Sequence, residues 1–119
     1  MASAIEFAKE TIDELKQLPR VTVNEAGYFA EDPKGDFVLY KDVKLLRKDI
    51  KGAIKENYVM QLGAELGDDV RMVLKDLSHV SINEDGDYEY NPKGKFILRD
   101  DIKSLIVDLK QWIKDEEKK

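Results

Sequence analysis

The chain has no cysteine, one histidine, one tryptophan and three prolines among its 119 residues. Without cysteine there is no disulfide framework, no thiolate nucleophile and no cysteine-ligated zinc. The lone imidazole, His79, cannot form an H-x-x-x-H metal helix, and no P-loop or G-x-G-x-x-G pattern occurs. A non-enzymatic protein with no cofactor and no metal is therefore expected. No apolar run approaches the ~18 residues of a membrane span, and the start, Met1 to Glu6, is acidic and lacks an apolar leader segment. The expectation is a cytoplasmic protein with no membrane partner. A net charge of −5 gives no broad basic footprint, so nucleic acid is not the expected partner either.

What is present is an internal repeat. Shifting the chain by 59 positions sets Leu18 on Leu77 and runs without a gap to Lys55 on Lys114, with 17 of 38 positions identical. The shared residues include Val21/Val80, Asn24/Asn83, Glu25/Glu84, Gly27/Gly86, Pro33/Pro92, Gly35/Gly94, Phe37/Phe96, Leu39/Leu98 and Asp42/Asp101. The chain thus reads as a tandem duplication, residues 1–59 and 60–119, of one α-βββ-α unit. A half of about 60 residues would bury only about 60% of its unfolded surface, which is marginal without help. The halves are therefore expected to pack together, through their helices, as one α+β body.

Within a unit the local chemistry is explicit. Ile5, Ala8, Ile12 and Leu15 form one apolar stripe of a helix over residues 3–17, which Pro19 ends. Val21 and Val23 alternate as in a strand, Asn24-Glu25-Ala26-Gly27 reads as a turn, and Tyr28 to Glu31 as a second strand. Asp32-Pro33-Lys34-Gly35 fits a type I turn, Phe37 and Leu39 a third strand, and Asp42 a helix cap. The three strands read as an antiparallel meander. Val43, Leu46 and Ile50 then continue the core, as do Ile102, Leu105 and Leu109 in the second copy. Residues 42–66 fit one bent helix or two, Asp68 or Asp69 reads as the next cap, and the charged tail after Lys114 is expected to fray.

The copies differ mainly in exposed charge. The first half nets −1 (ten basic, eleven acidic) and the second −4 (ten basic, fourteen acidic). Divergence shows at Asp36/Lys95, Tyr40/Arg99, Lys41/Asp100, Ala26/Asp85 and Ala30/Glu89. The second hairpin, Asn83 to Tyr90, holds four acids within six residues. Asn83, Asp85, Asp87 and Glu89 form an alternating oxygen set that suits calcium, but the glycine placement and the missing closing glutamate depart from an EF-hand. As a recognition surface for a basic partner groove, the candidates are Glu84, Asp85, Asp87, Tyr88, Glu89 and Tyr90, with Arg99, Tyr28 and Tyr40 nearby; a solvated hairpin tip is the plain alternative. Lys44, Lys48, Lys51 and Lys55 recur at spacings of 4, 3 and 4 as a basic ridge, which a solvated helix face also explains. Trp112 reads as core between the halves, or as an anchor for a second chain.

The cassette Gly35-Asp36-Phe37-Val38-Leu39-Tyr40-Lys41-Asp42-Val43, repeated from Gly94 to Ile102, resembles one in many small bacteriophage proteins. There it looks like a hairpin leading into a helix. The resemblance covers about ten residues per unit. It implies an accessory protein that binds and inhibits or redirects a host or defence protein. The expectation is thus a small acidic protein-binding protein of this inhibitory kind. Alternatives are a structural homodimer built on the helix stripes, and a nucleic-acid mimic or weak nucleic-acid binder using the lysine ridge.

Overall fold

The computed structural model describes residues 3–55 and 61–118. Helix α1 (Ala4–Gln17) leads to strands β1 (Arg20–Val23), β2 (Phe29–Glu31) and β3 (Phe37–Leu39), then helix α2 (Tyr40–Lys55). Helix α3 (Gln61–Asp76) follows, then β4 (His79–Ile82), β5 (Tyr88–Tyr90), β6 (Phe96–Leu98) and α4 (Arg99–Glu117). The fold is α+β: four helices and one six-stranded antiparallel sheet in the order β2-β1-β3-β6-β4-β5.

That order corrects the expected meander. In each half the first strand is central, so the link from the second strand to the third must pass over it. The physical reason lies in two glycines. The Asp32–Gly35 turn, closed by Gly35 N donating to Asp32 O at 2.8 Å, lies directly on the β1 backbone. A Cβ at Gly35 would overlap the Val21 backbone, and one at Gly94 would overlap that of Val80. Only glycine permits so close a crossing. Side chains tie it down: Arg20 Nε donates to Gly35 O at 2.7 Å, and His79 Nδ1 lies 3.1 Å from Gly94 O. A carbonyl only accepts, so His79 carries its proton on Nδ1 in this contact.

The halves also join more intimately than through helices alone. Strands β3 and β6 pair with Val38 opposite Ile97, making the sheet continuous across the chain. Helix α1 packs on α4 and α3, and α2 packs on α3, so the first helix of each half lies on the last helix of the other. Side-by-side packing shows that α2 and α3 are two helices; residues 56–60 between them lie outside the described residues. One core results. Phe7, Leu15, Ile50, Val70, Ile102 and Leu109 from all four helices meet Val38 and Ile97 from the sheet. The alternation of a strand turns their neighbours Leu39 and Phe96 to the opposite face, with Val21 and Val80. There the sheet curls on itself. Phe29 of edge strand β2 reaches Phe96 (ring centroids 6.1 Å), and Tyr88 of edge strand β5 reaches Phe37 (6.3 Å).

Helix boundaries depart from expectation in three places. Helix α2 begins at Tyr40, straight out of β3, so Asp42 stands inside the first turn; Asp101 does the same in α4, which starts from Leu98 with no side-chain cap bond. The carboxylates favour the positive helix end without acting as caps. Helix α3 begins at Gln61 rather than at Asp68 or Asp69 and runs through Gly67. That glycine serves close packing: a Cβ there would stand 2.7 Å from Ile54 Cδ1 and 3.2 Å from Phe7 Cε1. Helix α4 continues past Lys114 to Glu117, whose carboxylate lies 3.7 Å from Lys9 Nζ. Trp112 is half-buried against the main core.

Candidate functional site

The hairpin tips explain the Asn24/Asn83 pair. Asn24 Oδ1 accepts from Ala26 N and Tyr28 N, each at 3.0 Å, and Asn83 Oδ1 accepts from Asp85 N at 2.9 Å and Asp87 N at 3.0 Å. Gly27 and Gly86 complete the turns at φ of 85° and 84°. The Asn83 oxygen is thus occupied by its own backbone, and its Nδ2 donates to Glu89 Oε1 at 3.1 Å. Among the described residues no three His, Asp or Glu side chains converge as a metal site. The two tips face each other: a Cβ at Gly86 would stand 3.3 Å from Glu25 Cγ, and Asp85 borders the shallow cleft between them.

The candidate residues do not form one surface. Glu84 and Asp85 stand exposed at the tip. Asp87 and Tyr88 line a depression of about 440 Å³ with Asp36 and Phe37. Tyr88 also packs edge-on to Tyr90, which is 68% exposed. Arg99 opens α4, with its backbone N donating to Asp36 O at 2.7 Å. Its Nη1 is buried with no hydrogen-bond partner, and burial together with nearby Arg20 lowers its pKa, against the opposing pull of Asp100. Tyr28 and Tyr40 lie elsewhere, in a larger groove.

That groove has a volume of about 930 Å³. Gly27–Phe29 follow the first hairpin turn, Leu39–Lys41 and Lys44 come from the β3–α2 junction, and Pro92–Phe96 are the crossing turn of the other half. Residues from both halves therefore make it. Tyr40 N donates to Lys95 O at 2.9 Å, and the Tyr40 ring stands edge-on over His79 with centroids 4.1 Å apart. Tyr28 is 75% exposed and Phe29 49%. The lining carries Lys41, Lys44, Lys93 and Lys95 and no carboxylate.

The sequence marks Lys95 and Lys41 only as scattered divergent positions, and Tyr40 as one of these and as a candidate beside the acidic hairpin. The fold brings all three to this one groove. Lys93, Phe29, Phe96 and His79 were missed as site residues. The signal that could have found them is the crossing turn, which carries Pro92–Lys95 of one half to the helix start of the other. No protein-family model, curated protein or solved structure matches the chain.

Proposed function

We propose that this chain is a non-enzymatic binding protein that recognises an anionic partner segment in the groove between Tyr28, Tyr40 and Lys95. The observation that carries this reading is a lining of four lysines, exposed rings and no carboxylate on a chain of net charge −5. Positive charge is thus concentrated where the surface is concave, which attracts an anion and aligns it. The duplication belongs to the same proposal. Register Val38↔Ile97, the paired crossings at Gly35 and Gly94, and the matched tips at Gly27 and Gly86 support two copies of one unit. In such a pair the scaffold is kept and one of two equivalent corners becomes the recognition site.

A second reading is favoured by one feature. Tyr90 stands 68% exposed beside the acidic hairpin, outside the groove, and would suit a basic surface of a host or defence protein that the chain inhibits. Binding of fluorescein-labelled heparin separates the two. Lys41→Glu with Lys95→Glu is expected to weaken it by about tenfold or more, while Asp85→Lys with Asp87→Lys and Glu89→Lys leaves it intact or stronger. No binding by the parent chain, or binding indifferent to the groove pair, sinks the groove reading.

A further inference from the structure

Resting on the groove reading, we infer that the occupant is a single-stranded nucleic acid whose bases stack on the Tyr28–Phe29–Tyr40 rings and whose phosphates follow Lys44 onto the lysine ridge of α2. Lys44 belongs to both features. It lines the groove, and with Lys48, Lys51 and Lys55 it starts a line of exposed ammonium groups along α2. Eleven residues of helix carry that line about 17 Å beyond the groove. Asp49, the nearest exposed acid on α2, stands five residues from Lys44, about 140° around the helix and off the line.

The combination selects the polymer. An acidic peptide could place a ring and a few carboxylates in the groove. Beyond it, however, the ridge offers charges spaced along one helix line, with the single exposed Leu45 beside them on α2. A strand that repeats both a phosphate and a flat base in every unit uses the groove and the ridge together. A duplex keeps its bases stacked inward and cannot use the rings. Net charge −5 also opposes wrapping by a rigid polyanion, so engagement confined to one basic track is the geometry that remains.

The test is fluorescence anisotropy on the full chain with three labelled probes: oligo-dT of about 12 nucleotides, its duplex with oligo-dA, and a poly-glutamate peptide of equal charge. The single strand is expected to bind at least about tenfold more tightly than either other probe, with a log–log salt slope near −3 if about four phosphates are engaged. Tyr28→Ala, at a position too exposed to upset folding, should weaken it about five- to hundredfold, the range of one stacked base. Lys48→Glu with Lys51→Glu should flatten the salt slope while thermal unfolding is unchanged. Poly-glutamate binding as tightly as the strand and losing affinity with Lys95→Glu overturns the nucleic-acid inference and leaves the groove reading standing. Duplex binding as tightly as the single strand overturns the inference. Failure of all three probes, or binding indifferent to Tyr28→Ala and Lys95→Glu, overturns both.

Discussion

The two ends of the sheet present opposite surfaces from positions 59 residues apart in sequence. At one end Tyr40 stands over His79 and the lining is Lys41, Lys44, Lys93 and Lys95. At the positions 59 residues away the other end has Arg99 facing Arg20, and Asp36, Asp87 and Asp100 replace Lys95, Tyr28 and Lys41. Backbone features recur at both ends, among them an Arg20 or His79 nitrogen on the carbonyl of the crossing glycine. What distinguishes the corners is side chains on a shared frame. On the proposed function, such a frame would engage a charged partner at one of its two corners only.

The largest test of that asymmetry lies under the corners. Phe96 is 6% exposed and meets both Phe29 and Phe37, whereas its counterpart Phe37 is only half-buried. Phe96→Ala should cost about 3–5 kcal/mol in urea unfolding, the range for a buried ring, and Phe37→Ala clearly less. Equal losses would mean that the aromatic cluster is shared evenly and that the corners differ only at the surface. Next come the crossings. Gly35→Ala and Gly94→Ala each force a methyl into the backbone of Val21 or Val80, so each should cost about 1–3 kcal/mol, and the two losses should match. A loss at one crossing alone would show that the frame is not equivalent.

Most of the frame was legible because it rests on local chemistry, the helix stripes and the Asn-to-Gly turns; the cap at Ser3, whose Oγ accepts from Glu6 N at 3.1 Å, was not read from the sequence. The strand order was not. Pro33-Lys34-Gly35 describes a turn equally well whether the chain folds back beside its neighbour or over it, and only the Val21 contact distinguishes them. The site was illegible for the same cause. Lys95 and Lys41 are 54 positions apart in sequence and meet only because β3 pairs with β6. The acidic hairpin drew attention through its density in sequence, yet its parts are divided between a tip cleft, a small depression and the internal Asn83–Glu89 bond.

A smaller effect comes from the second corner itself. Arg99 has a buried Nη1 with no partner and a like charge, Arg20, close by. Arg99→Tyr copies the residue of the first corner and presents a ring to Arg20, as Tyr40 does to His79. The like-charge contact disappears and a cation–π contact replaces it, so thermal unfolding should show a gain of about 0.5–1 kcal/mol. Destabilisation would mean that Arg99 is specific to its corner and that the two frames do not interchange.

The smallest difference between the halves is testable by pH. Glu14 occupies the position at which the other half has Val73. Partial burial, then Asp49 and Glu10 nearby, raise its carboxyl above the ordinary range. A carboxyl raised on folding favours the folded state most below the unfolded-chain pKa, and that contribution is lost as pH rises through the folded value. Glu14→Gln removes this dependence. Parent and variant should therefore unfold alike at about pH 4, and the variant should become more stable as pH rises toward about 7. The side chain is largely exposed and water screens it, so the separation stays near 0.5 kcal/mol or below. A gap of the same size at both pH values would assign the effect to packing of the amide and remove the charge difference between α1 and α3 from the comparison.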